Sequence, residues 1–146
     1  MSNYYPYPKR DAIKNYFPLP KEIFLLDLSY GEIAVYAYLV FCEDRQTYQC
    51  WPSYRTIGQA LKMSRNTVSK YVSLLEDKQL IFTEPTSVTT KDGRKRNGSL
   101  LYTIRPIEEA SQYHREQEFF KAQEEENRLK IERQIEILEE KHLKAG

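Results

Sequence analysis

Glycine is scarce in this chain, five residues in 146. No GxGxxG and no GxxxxGK[ST] occurs, so a glycine-lined phosphate cradle of either type is excluded. Cys42 and Cys50 are the only cysteines. They form no CxxC pair and no disulfide framework, and a reducing cytoplasm is the expected setting. The two histidines, His114 and His142, fall in a charged stretch with no HExxH or zinc spacing and no nucleophile placed beside them by sequence. No enzyme, metal or cofactor is therefore expected. Long apolar runs are also missing. The longest, Ile33 to Cys42, is far too short to span a bilayer. The opening "MSNYYPYPKRD" has no apolar h-region, so neither a membrane partner nor a secretory leader is expected.

What is present is tyrosine and charge. Twelve tyrosines suit surfaces that are half buried and half wet. A formal net charge of +1 hides a split. Residues 1–106 carry 15 Lys/Arg against 10 Asp/Glu, and residues 107–146 carry 7 against 11. The front of the chain suits an anionic partner and the back does not.

The chain divides into three parts. Residues 1–19 hold Tyr4, Tyr5, Tyr7, Tyr16 and Phe17 among prolines, with Lys9, Arg10 and Lys14, and read as an extended arm that packs on the domain, touches DNA or meets a partner subunit. Residues 20–106 read as one domain. "PKEIFLLDL" is a short helical turn, and Ser29 with Glu32 forms a capping box. The helix that follows presents Ile33, Tyr36, Ala37 and Val40, widened by Val35, Leu39 and Phe41, and ends near Glu43–Arg45. "QTYQCWP" is a short extended piece. Ser53 caps a helix to residue 61 with Ile57, Ala60 and Leu61 inward, and Ser64 caps another over 65–78. Only Lys62 and Met63 separate the two, which requires a sharp turn. "IFTEPTSVTT" and "SLLYTIRP" alternate like strands, with Asp92–Gly93 and Asn97–Gly98 bounding a hairpin tip. Residues 107–146 are rich in Glu, Lys, Arg and Gln and read as one long helix.

This order of elements is that of a winged helix. The chain resembles the winged helix-turn-helix DNA-binding domains of bacteria, especially those of small regulators and of replication initiators of plasmids and mobile elements. The resemblance covers about residues 20–106 and rests on "WPSYRTIGQALKMSRNTVSKYVSLLEDKQLI", including the small Gly58 where the two helices would touch. It implies a mainly α fold with a small β-hairpin wing, followed here by a long C-terminal helix. One departure stands out. Lys62 takes the turn position where the family usually has Gly, and a positive φ there would carry strain of about 1 kcal/mol or more.

In helix 65–78 the inward residues at helical spacing are Val68, Tyr71, Val72 and Leu75. Arg65, Asn66, Thr67, Ser69, Lys70 and Ser73 face outward, and the acids Glu76 and Asp77 come only at the far end. The major groove admits one helix, and its base edges offer acceptors to Arg and paired sites to Asn. Arg65, Asn66 and Lys70 are therefore candidate base readers. Ser53, Tyr54, Arg55, Thr67, Ser69 and Ser73 are candidate phosphate or mixed contacts. Wing 91–98 carries Lys91, Arg94, Lys95 and Arg96 against one acid, and suits a DNA backbone. The alternative for this side is an ordinary solvated face.

In the tail, Ile131, Ile135 and Leu138 fit one heptad of a coiled-coil seam, broadened by Leu129, Ile137 and Leu143, while Arg128 and Glu124 interrupt it. Phe119 and Phe120 could anchor the early helix to the domain or to a second subunit. A homodimer through residues 107–143 is the expectation, and a solvated or partner-binding tail the alternative. The expected function is sequence-specific binding of double-stranded DNA in transcription regulation. The alternatives are replication or partition initiation on a mobile element and, from another class, a protein-interaction adaptor. No sensor domain is evident, so control by a small ligand is not expected.

Overall fold

The computed structural model describes residues 16–145. The expectations for Tyr4, Tyr5, Tyr7, Lys9, Arg10 and Lys14 lie outside the described residues. After a 3-10 turn at Lys21–Phe24, helix α1 spans Tyr30–Cys42 and strand β1 is Gln49–Cys50. Helix α2 is Tyr54–Leu61 and α3 is Arg65–Asp77. Strands β2 Ile81–Glu84, β3 Ser87–Thr89, β4 Lys95–Asn97 and β5 Leu101–Ile104 follow, and α4 runs from Ile107 to Ala145.

The three serines do what their spacing predicts. Ser29 accepts from the Glu32 amide while the Glu32 carboxylate accepts from the Ser29 amide, a complete capping box. Ser53 and Ser64 accept from the Thr56 and Thr67 amides, so each of the first three helices starts with a satisfied donor. Val35, Tyr36, Leu39 and Val40 from α1 meet Ile57 from α2, and Val68, Val72 and Leu75 from α3. Leu80, Ile81 and Tyr102 close the core on the sheet side, and Ala110 brings in the first turns of α4. Two expected inward residues face out instead. Phe41 packs at a tilt against Phe17 and Tyr38 at the surface, and Ala60 is exposed. Both sit at the edge of an apolar stripe wider than the neighbouring elements can cover.

Two glycines allow the helices to close. A Cβ on Gly58 would lie 2.4 Å from the Met63 carbonyl oxygen, so the chain can double back only over a bare backbone. A Cβ on Gly31 would fall within the ring of Tyr71, which brings α3 flat against the start of α1. Lys62 takes the left-handed conformation, with φ 60° and ψ 45°. The Met63 amide donates to the Gly58 carbonyl at 2.9 Å, which holds that turn shut. The strain expected of a non-glycine residue here is therefore present.

The sheet is antiparallel in the order β1-β5-β2, with Gln49 opposite Thr103 and Phe82 opposite the same residue on the other side. The two-residue β1 makes the wing sheet three-stranded, and its pairing was not anticipated. Beyond this sheet, β3 and β4 pair as a separate ribbon. The expected tip is thus shorter. Gly93 has φ 78°, as an Asp-Gly turn requires, but Asn97 ends β4 rather than making a turn. Gly98 sits where its missing Cβ leaves room for the Thr86 hydroxyl, and its amide donates to the Thr86 carbonyl at 2.8 Å.

Helix α4 has 39 residues, roughly 58 Å at 1.5 Å per residue. Only its beginning packs on the domain, through Ala110 and the half-buried Ile107. From Glu118 to Ala145 every residue is exposed. No helix among the described residues is long and apolar enough to cross a membrane.

Candidate nucleic-acid interface

The outward face of α3 is as expected in composition and more specific in detail. Arg65, Asn66, Lys70 and Ser73 are exposed, while Thr67 and Ser69 are half-buried. The Thr67 hydroxyl shares a 2.9 Å hydrogen bond with Ser64, so part of its capacity goes to the cap. The Ser53 hydroxyl is likewise engaged with Thr56 at 2.9 Å. The Lys70 ammonium lies 5.5 Å from the centre of the Tyr71 ring, which holds its stem along the flank of the helix. Glu76, the first acid of α3, is withdrawn from this face, because Thr83 on β2 donates to its carboxylate at 2.7 Å.

A groove of about 860 Å³ opens between the start of α2 and the base of the wing. Arg55 and Arg65 line it from the helices, and Thr86, Asn97 and Ser99 from the wing, with no acidic residue among its walls. Two guanidinium groups facing neutral donors across an open cleft suit an anionic chain. Tyr54 lies half-buried beside it. Thr86, Asn97 and Ser99 were not picked out in the sequence. Nothing in their spacing marks them, since they come together only through the β2–β5 and β3–β4 pairings.

Lys91, Arg94, Lys95 and Arg96 are all exposed. Arg94 approaches Asp92 at 3.7 Å, a loose surface pair worth little. Lys95 and Arg96 belong to β4 and not to the tip, so strand alternation sends them to opposite faces of the ribbon. One broad basic loop is thus replaced by a basic tip, at Lys91 and Arg94, above a two-sided basic strand.

A family comparison agrees with the helical part of this architecture. Residues 26–81 match the family model described as Helix-turn-helix domain. Helices α1 to α3 with the β-hairpin that follows them have the winged helix-turn-helix fold. The match takes in α1, α2 and α3 and stops where the wing begins. Among solved structures, a possible transcriptional regulator from Methanosarcina mazei Go1 is 18% identical, with a TM-score of 0.48 over 72% of this chain and 79% of that one. MepR of S. aureus, in complex with DNA, is 17% identical, with a TM-score of 0.36 over 75% and 78%. ZitR of Lactococcus lactis, also in complex with DNA, is 20% identical, with a TM-score of 0.35 over 70% and 63%. No curated protein matches the chain. Likeness at this level carries nothing about what the winged helix of this chain binds.

Proposed function

We propose that this protein binds double-stranded DNA with sequence specificity and acts as a transcriptional regulator. One observation carries the reading. The outward side of α3 has no acid before Glu76, and Glu76 itself is held by β2, so among the described residues Arg65, Asn66 and Lys70 pair with no carboxylate, and Arg65 lines a groove that also holds Arg55. On this reading α3 enters the major groove, Arg65, Asn66 and Lys70 read base edges, and the Arg55 groove and the wing hold the phosphodiester chain.

A gel shift against mixed duplex DNA at two salt concentrations tests it. Binding that survives moderate salt but weakens steeply as salt rises is expected, because cationic contacts release counterions. Failure to bind any duplex at low salt would remove the proposal and favour the protein-interaction adaptor.

We further propose that α4 joins two copies. Ile131, Ile135 and Leu138 follow a seam spacing and lie 57%, 49% and 55% exposed, more than an unpaired helix has reason to show. Phe119 and Phe120 pack against each other rather than on the domain, which leaves them for a second subunit. A two-fold pair would favour inverted repeats with half-sites about one helical turn apart or a multiple of it. Truncation after Gln117 removes Phe119, Phe120 and the seam, spares the buried Ala110 and should take the chain from dimer to monomer in solution. An unchanged oligomeric state would end the dimer proposal and leave the DNA reading standing.

A further inference from the structure

A second groove, of about 530 Å³, lies at the far end of α1 and shares no residue with the one beside Arg55. Its size is within the ~300–1,000 Å³ of small-molecule sites. Tyr36, Val40 and Glu43 lie along one side of α1, Pro20 forms a wall, Tyr48 the rim, and Ile107 comes from the base of α4. The lining is mostly apolar and holds two charged residues, Arg105, whose guanidinium is already taken up by Glu109 and Gln79, and Glu43, whose carboxyl group is not so engaged.

Glu43 is placed where folding gains nothing from a carboxylate. It caps the C-terminus of α1, the negative end of the helix dipole. Burial pushes its pKa up, and Arg45 only partly offsets this. Its Oε2 is buried with no hydrogen-bond partner among the described residues. The Tyr36 phenol is itself pushed up to about 12, by burial and by the charges of Glu43 and Glu22, so it remains a neutral donor. Tyr48 adds a further cost. Its φ of 58° is left-handed, fixed by its amide donating to the Asp44 carbonyl at 2.7 Å and its carbonyl accepting from the Ile104 amide at 2.9 Å. Strain of this kind tends to collect at ligand sites. A cationic occupant would offset the dipole, desolvation and unpaired-oxygen penalties at Glu43 together.

We propose that this groove binds a small, largely apolar monocation of the protonated aromatic amine type. Its ammonium pairs with Glu43, its hydrocarbon lies on Pro20, Val40 and Ile107, and the ring of Tyr48 meets the charge from the rim. Such an occupant bridges α1 to the residues that launch α4. This site is independent of DNA reading.

Calorimetric titration of the full chain with 2-phenylethylamine at neutral pH should give saturable one-to-one binding. Phenylacetate, with the same ring and the opposite charge, should give none. Glu43→Gln should weaken amine binding by about tenfold or more, while Glu84→Gln, an exposed carboxylate elsewhere, leaves it unchanged. Without amine, Glu43→Gln should melt no lower than the parent, which separates lost binding from lost folding. No saturable heat with the amine, equal binding of phenylacetate, or undiminished binding by Glu43→Gln would overturn the site. A lower melting point for Glu43→Gln would do the same, since it would show that the carboxylate serves the fold.

Discussion

The winged-helix body and the long helix behind it both contain ion pairs, and the two kinds do different things. In the body, Glu32 is 3% exposed and its Oε1 lies 2.8 Å from Lys78 Nζ, close enough for an ion pair although the groups do not meet at hydrogen-bonding angles. That contact ties the start of α1 to the end of α3, and Lys78 also donates to the Asp27 carbonyl at 3.1 Å. On α4 the pairs Glu118–Lys121, Glu125–Arg128 and Glu126–Lys130 are all local and well exposed. They support helix formation by tenths of a kcal/mol each and hold nothing in place. The body is fixed by contacts distant in sequence, whereas the tail is a helix mainly because its local propensities agree.

The largest expected effect that would sharpen this contrast is in the core. Leu75→Ala removes a fully buried side chain and should cost about 2–5 kcal/mol in urea unfolding. Ile135→Ala should change the unfolding of the body by less than about 0.5 kcal/mol. A comparable loss from both would erase the distinction between the two regions.

Lys78→Met should cost on the order of 2–3 kcal/mol at neutral pH, a figure discounted because Lys78 is a third exposed. The dependence on pH has a definite sign. Burial raises the Glu32 pKa, but the Lys78 ammonium beside it and the hydrogen bonding with Ser29 outweigh it and leave the pKa below its ordinary value. The stabilisation is therefore complete above the ordinary carboxylate range and is lost as pH falls through the lowered value. The cost of Lys78→Met should accordingly shrink in acid. A cost that stays flat from neutral to acid pH would mean that the pair contributes nothing.

On the side proposed to face DNA, Asn66→Ala and Lys70→Ala should relax preference at particular base positions, by about 1–3 kcal/mol each in competition gel shifts. Arg94→Ala should weaken all sequences alike and reduce the salt slope by about 1. The reverse pattern would exchange the roles given to helix and wing. The smallest effect belongs to the tail, where Lys130→Ala should lower stability by at most about 0.5 kcal/mol.

Much of the body was legible because its signals are local. Each of Ser29, Ser53 and Ser64 precedes an apolar run at helical spacing, and the gap of two residues at Lys62 and Met63 forces a tight turn. Lys62 shows that even a departure from the family pattern could be read, since its backbone does take the left-handed form. The misses depend on contacts between distant segments. Asn97–Gly98 looks like a turn, but Gly98 serves a close approach to Thr86 and not a reversal. Phe41 continues the stripe of α1 past the surface that other elements cover. The groove at Glu43 draws its walls from Pro20, Tyr48 and Ile107 as well as α1, and no short window of sequence holds them together.

The flat seat of Tyr71 over Gly31 has a further consequence. The tilt of α3, the helix proposed to read DNA, rests on a bare spot on α1, remote from the side chains assigned to base edges. A methyl group there should swing the whole of α3 at once, and on the proposed reading this would change the target wholesale without altering any residue assigned to it.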